Sequence, residues 1–153
     1  MVYPLFKVFI ADDISSLLQE IGDQHVYGPF LSKFRFKLQK YLQTDNVLPI
    51  SNFDHAVHIL IKTFNLKAGD SVILSPFCCR ALIYPFLTNN IDILWADIDP
   101  NTGTMDPNSI NSCINPSTKL ILHNHLGGIA GHIDDLSKLC KEKGIFFIGD
   151  CSQ

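Results

Sequence analysis

Short apolar segments alternate with amphipathic helical segments from residue 46 onwards. Helical spacing of the apolar residues predicts helices over 53–64, 78–87, 107–113 and 133–143, and Pro85 is expected to kink or shorten the second. Apolar runs between them predict strands over 46–50, 71–74, 91–96, 119–122 and 145–148. Strands that alternate with helices through short links form parallel sheets with right-handed crossovers. The sequence therefore predicts an α/β fold, a three-layer α/β/α sandwich with a mainly parallel sheet.

The first part of the chain has no such alternation. Helical spacing predicts one helix over residues 12–21 and a second whose apolar stripe is Leu31, Phe34, Leu38, Tyr41 and Leu42. The basic residues of the second helix are interpreted as a solvated face and not as a binding patch, because no aromatic stacking platform accompanies them. We expect a single domain over 1–153, with an N-terminal helical segment (1–45) and βα repeats (46–153).

Composition excludes several classes of protein. With 46% hydrophobic and 18% charged residues, the chain is typical of a globular domain. A net charge of -3 gives no support to nucleic-acid binding, and no apolar run approaches the roughly 18 residues of a membrane span. The N-terminus lacks the pattern of a signal peptide, and five cysteines without paired spacing suggest a reducing compartment. We expect a cytoplasmic protein that binds neither nucleic acid nor membrane.

The segment 144–153 is the strongest candidate for function. Residues 145–148 are apolar on both faces, as in a strand buried between helix layers, and Asp150 closes this segment after Gly149. Open α/β sheets bind ligands beyond the carboxyl ends of their strands, which is where this carboxylate would lie. Taken alone, Asp150 is better interpreted as the cap of a following helix.

Three other chemistries have weaker support. His123 with His125, and His55 with His58, have spacings that suit zinc, but no further ligand is evident, and polar loop or helix-surface histidines are favoured. Cys78, Cys79 or Cys151 could act as a nucleophile, although buried structural thiols are commoner. The glycines 127, 128 and 131 follow a strand but lack the order of a dinucleotide-binding loop.

Several motifs together resemble the DegT/StrS class of sugar aminotransferases, which are pyridoxal-phosphate enzymes of fold type I. None is diagnostic alone, but their order and spacing cover nearly the whole chain. They are Gly28-Pro29 with the stripe of the second helix, residues 69–73, 97–102, 105–107 and 114–119, His125-Leu126-x-Gly128, Asp134 and Asp150-x-x-Gln153. The resemblance implies the N-terminal part of a fold type I large domain.

The resemblance also implies roles for residues. Asp150 would keep the pyridine nitrogen of the cofactor protonated so that the ring accepts electrons, and Gln153 would contact the ring oxygen. The whole enzyme would transfer an amino group, with glutamate the expected donor, to a nucleotide-linked keto-sugar. Family members form dimers with the active site at the subunit boundary, so the expected partner is a second copy or a complementing polypeptide.

The chain departs from the family pattern at three points. The phosphate cradle, a Ser-Gly-Thr-Ala type turn in the family, reads Asn52-Phe53-Asp54-His55 here, and Asp54 is expected to cap its own helix and repel a phosphate dianion. The ring-stacking aromatic position falls at Cys79, so Phe77 or Phe53 would have to replace it. The Schiff-base lysine follows the Asp-x-x-Gln motif in the family, and no lysine here does.

These departures leave two hypotheses open. In the first, the chain belongs to an aminotransferase that works only when another segment supplies the lysine. In the second, it is a degenerate homologue that acts as a scaffold or dimerisation module. Both predict no catalytic residue and no metal ligand in this chain. The positions that correspond to cofactor contacts are Asp54, His55, Cys79, Asp150 and Gln153.

Overall fold

A computed structural model describes residue 19 and residues 29–152, and the chain divides into two compact units, Met1–Pro49 and Ile50–Gln153. Apart from residue 19, the helix predicted over 12–21 lies outside the described residues, and so does the site residue Gln153. The first unit contains helix α1, Phe30–Leu42, which ends at Gln43 in a left-handed conformation. Its apolar stripe is largely exposed.

The prediction of a strand over residues 46–50 is wrong. These residues have no regular structure and pair with no strand of the described sheet. Pro49 has no N–H to donate to a ladder, so the apolar side chains nearby do not suffice to form a strand there.

The second unit alternates helices and strands, as predicted. In chain order its elements are α2 (Phe53–Thr63), β1 (Ser71–Leu74), α3 (Arg80–Thr88), β2 (Asp92–Trp95), α4 (Pro107–Cys113), β3 (Thr118–Asn124), a 3₁₀ turn (Leu126–Gly128), α5 (Ile133–Lys143) and β4 (Phe146–Asp150). Helix α3 starts later than predicted because Cys79 is its N-cap, and it continues past Pro85 to Thr88.

The described sheet has four parallel strands in the order β2-β1-β3-β4. Alternate residues of the central strands pack on opposite faces: Val72 and Leu74 contact α2 and α3, whereas Ile73 contacts α4 and α5. Two separate hydrophobic clusters result, one on each side of the sheet. The predicted three-layer α/β/α architecture is confirmed.

Strand β4 lies at an edge of the described sheet. Ile148 packs against the cluster under α2 and α3, and Phe147 against the cluster under α4 and α5, so this strand does have two apolar faces. The expectation that it is fully buried is wrong, because Phe146 is 47% exposed and stacks on Phe64 with ring centroids 4.2 Å apart. No helix among residues 29–152 is long and apolar enough to cross a bilayer.

Candidate functional site

The topology creates a crevice between β1 and β3 at their carboxyl ends. Helix α3, which follows β1, packs on one face of the sheet, and α5, which follows β3, packs on the other. The two chain segments therefore leave the sheet in opposite directions at adjacent strands. Open α/β sheets bind ligands at such a switch point.

Asp150 ends β4 at this edge of the sheet. Its Cα pairs with that of Asn124, and its backbone carbonyl accepts a hydrogen bond of 2.9 Å from the His125 N–H. Alternation along β4 places the Asp150 side chain on the face of Ile148, toward α2 and α3. One carboxylate oxygen accepts a hydrogen bond of 3.0 Å from Ser152 N–H, and the residue is half-buried.

The loop after β1 is joined to the end of β3 by a buried amide. Asn124 is 7% exposed, and its Nδ2 donates to the Phe77 carbonyl at 2.8 Å. Burial raises the pKa of the neighbouring Cys78 thiol above its ordinary value, and the charges of Cys79 and Asp150 raise it further. The thiol is therefore protonated at neutral pH, which disfavours Cys78 as a nucleophile.

The start of α2 differs from the expected arrangement. Asn52, not Asp54, is the N-cap, because its side-chain oxygen accepts a hydrogen bond of 2.9 Å from His55 N–H. The expectation that Asp54 caps the helix is wrong. Asn and Asp are both good N-cap residues, but the N-cap has a non-helical backbone, and Asn52 has the extended backbone that this position requires. His55 Nδ1 lies 3.1 Å from Ser51 Oγ.

Asp54 lines a cleft of about 450 Å³ between α2 and α3, together with Arg80, Ala81 and Tyr84. The Asp54 carboxylate repels a phosphate dianion. In addition, the His55 N–H in the first turn of α2 already donates to the Asn52 side chain, so it is not available to a phosphate. The carboxylate of Asp150 suits a pyridinium nitrogen, but the carboxylate of Asp54 at the start of α2 opposes the phosphate of the same cofactor. The residues present therefore do not form a complete pyridoxal-phosphate site.

No aromatic ring occupies the predicted stacking position. Cys79 is the exposed N-cap of α3. Phe53 packs against the hydrophobic cluster under α2 and α3, so its ring is already engaged, whereas the Phe77 side chain is 55% exposed. Of the two candidates, only Phe77 has a largely exposed side chain.

His123 and His125 lie on the opposite face of the sheet from Asp150. His123 is fully buried and donates from Nε2 to the Ala130 carbonyl at 3.0 Å, and its ring meets that of His125 edge to face at 5.0 Å. Burial lowers the pKa of His123, which keeps it neutral. The interpretation of His123 as a polar loop residue is wrong, because β3 extends to Asn124 and includes it. His125 does lie in the loop that follows β3, but it is buried there. Among residues 29–152, no group of three or more His, Cys, Asp or Glu could hold a metal ion.

The sequence patterns do not predict that Asn124 and Arg80 lie at the site, where the fold places them. The apolar pattern predicts that β3 ends at 122, before Asn124, and that Arg80 lies inside a helix that starts at 78. For Asn124 the one signal is its place two residues after the apolar run that ends at Leu122. Arg80 gave none, because its position beside Asp54 depends on how α2 and α3 pack.

Comparison with known proteins agrees with this fold. The model of the DegT/DnrJ/EryC1/StrS aminotransferase family matches residues 9–153. GDP-perosamine synthase of Vibrio cholerae is 25% identical over 126 residues, which is 82% of this chain and 34% of that protein. UDP-2-acetamido-2-deoxy-3-oxo-D-glucuronate aminotransferase of Pseudomonas aeruginosa is 25% identical over 146 residues, 94% of this chain and 41% of that one.

Solved structures give the same result. The structure of NtdA from Bacillus subtilis with bound cofactor PMP superposes with a TM-score of 0.86 at 29% identity, covering 92% of this chain and 33% of that chain. The chain therefore spans between a third and two fifths of the length of these relatives.

Proposed function

Because the chain belongs to the DegT/DnrJ/EryC1/StrS aminotransferase family, we propose that it forms the cofactor-ring side of a sugar-aminotransferase active site. The observation that carries this proposal is the position of Asp150, at the carboxyl end of β4 and on the α3 face of the sheet. When bound, pyridoxal phosphate supplies an electron sink for the substrate carbon. In such a site Asp150 would hold a proton on the ring nitrogen.

The proposed substrate is a keto-sugar linked to a nucleotide. The name of the Pseudomonas relative describes such a substrate, a UDP-linked 3-oxo sugar, and that of the Vibrio relative describes a GDP-linked amino sugar. In this proposal the amino donor is an amino acid, with glutamate the first to test. The cytoplasm, where such a sugar nucleotide would be available, is the proposed location.

We propose further that residues 1–153 do not transaminate by themselves. The family's lysine follows the Asp-x-x-Gln motif, and the last lysine of this sequence is Lys143, which precedes Asp150. A further segment, from the same or another polypeptide, must supply it.

Reconstitution tests the proposed function. The chain is co-expressed with the part of GDP-perosamine synthase that follows its matched region, and transfer of an amino group to a keto-sugar nucleotide is measured. The test is made in the Asp54→Thr variant, which lacks the carboxylate that opposes the phosphate. We expect activity there and its loss when Asp150→Ala is added, while Asp92→Ala, at the opposite end of the sheet, leaves the activity unchanged. Equal activity with and without Asp150→Ala would contradict the proposed role.

The altered cleft at α2 supports a second candidate, a non-catalytic module. We expect Asp54→Thr to improve the affinity for inorganic phosphate by about 1–3 kcal/mol, because a like charge is removed. Titration calorimetry measures the change. Phe53 is kept, since Phe53→Gly would remove packing against the hydrophobic cluster.

The matched control is Asp92→Thr, which removes a carboxylate from an exposed position in β2. It should not alter phosphate affinity. If Asp54→Thr and Asp92→Thr give equal affinities, the carboxylate in the cleft is not what opposes phosphate.

Either candidate function involves association, and we expect the isolated chain to form dimers or larger oligomers. Strand β4 has no neighbour on one side in the described sheet, and Phe146 is half-exposed there. Exposed apolar edge strands tend to pair with other chains, whereas a lysine side chain on the edge strand disfavours such pairing. Light scattering should show oligomers for the parent chain and a smaller mean mass for Phe146→Lys. A monodisperse 17.2 kDa parent would contradict this expectation.

A further inference from the structure

The cleft between α2 and α3 contains two opposite charges that do not meet. Asp54 is half-buried and Arg80 is exposed, and both line the same space of about 450 Å³. Within the described part of the chain, the one ion pair joins His132 to Asp99. Among the described residues, neither the Asp54 nor the Arg80 side chain has a hydrogen-bond or ion-pair partner. Both charges are therefore available to a ligand.

Simple ions do not match this arrangement. An anion attracted to Arg80 is repelled by Asp54, and a simple cation meets the reverse situation. A small molecule that carries both charges is attracted at both ends. Such a pair of charges selects among ligands, because contact between like charges reduces the binding free energy more than the lack of an attractive contact does.

We propose that this cleft binds a small zwitterion, an ammonium group joined by a short linker to a carboxylate or phosphate group. The guanidinium of Arg80 is a rigid fork of donors that suits either acidic group. The carboxylate of Asp54 accepts hydrogen bonds from the ammonium group. Tyr84, which is 56% exposed and lines the same cleft, provides an aromatic flank beside the linker. This proposal goes beyond the proposed function, because it needs neither the cofactor nor a lysine.

Ligand-observed NMR on the complete chain tests the proposal and tolerates oligomers. The probes are phosphoethanolamine and glycine, which join an ammonium group to a phosphate and to a carboxylate, respectively. Inorganic phosphate and ethanolamine carry the two charges separately and serve as competitors. We expect saturable binding of at least one zwitterion and at least about tenfold weaker binding of each separate ion, because each lacks one charged hydrogen bond.

Charge-removing variants assign the binding to the cleft. Asp54→Asn and Arg80→Gln should each weaken zwitterion binding about tenfold. The matched controls are Asp92→Asn, at the opposite end of the sheet, and Lys62→Gln, in the last turn of α2. Both are exposed and should leave binding unchanged. The stronger of the two zwitterions identifies the acidic group that the cleft prefers.

Three results would overturn the proposal. Inorganic phosphate that binds as tightly as phosphoethanolamine would make the cleft an anion site, and equally tight ethanolamine would make it a cation site. The absence of a saturable signal from both zwitterions would mean that the two charges are merely hydrated. No pyridoxal phosphate is present in these measurements, so their failure is distinguishable from failure of the aminotransferase proposal.

Discussion

Phe86→Ala is expected to lower the free energy of unfolding by about 3–5 kcal/mol, because it removes a large buried ring and leaves a cavity. Phe86 is fully buried in α3 and belongs to the cluster that joins α2, α3 and the sheet. The same helix carries Cys79 and Arg80 to the site at its other end. Chemical denaturation followed by circular dichroism measures the change.

The neighbouring residue supplies the control. Leu87 is 56% exposed in the same helix, so Leu87→Ala should change the free energy of unfolding by no more than about 0.5 kcal/mol. Equal losses for the two variants would show that the cluster under α3 does not hold this helix against the sheet.

Gly131→Ala is expected to cost about 2–4 kcal/mol of unfolding free energy, from left-handed backbone strain and overpacking together. Gly131 has a φ of +62°, and a Cβ there would lie 2.8 Å from the Cβ of Thr104 and closer still to its hydroxyl. Thr104 is buried beside the loop whose Asp99 pairs with His132 Nε2 at 2.8 Å. The extra methyl would push this loop away from the start of α5.

Gly103 separates the two contributions. Its φ of +71° imposes similar backbone strain, but nothing lies within 4 Å of an added Cβ. Gly103→Ala should therefore cost only about 1–2 kcal/mol in the same denaturation experiment. If the two glycine variants lose equal stability, contact with Thr104 contributes nothing and the packing at Gly131 is looser than described.

Local patterns suffice to predict much of the second unit. Helices α4 and α5 and strand β1 have the predicted bounds, because Pro107 and Ile133 begin clear helical patterns and Ser71 follows a glycine turn. The ends of β3 and β4 could not be predicted in this way. Polar residues such as Asn124 and Asp150 extend these strands because they pair with each other across the sheet, and pairing is a tertiary interaction.

Only those parts of the candidate site that depend on the sequence position of a single residue could be predicted. The position of Asp150 follows from its place at the end of an apolar segment. Whether Asn52 or Asp54 caps α2 depends on backbone angles, which residue type does not determine. Arg80 lies in the cleft with Asp54 because of how α2 and α3 pack. The raised pKa of Cys78 depends on burial and on the charges of Cys79 and of Asp150, which is far from Cys78 in the sequence.

The central claim of the proposed function is that residues 1–153 provide the ring-facing carboxylate of an aminotransferase site but neither an intact phosphate cradle nor the Schiff-base lysine. Absorbance titration with pyridoxal phosphate, followed by borohydride reduction and peptide mapping, tests it most directly. We predict the spectrum of free cofactor throughout, with no saturation near one equivalent and no single lysine trapped. A Schiff-base band that saturates at one cofactor per chain, with one lysine reduced, would contradict the claim.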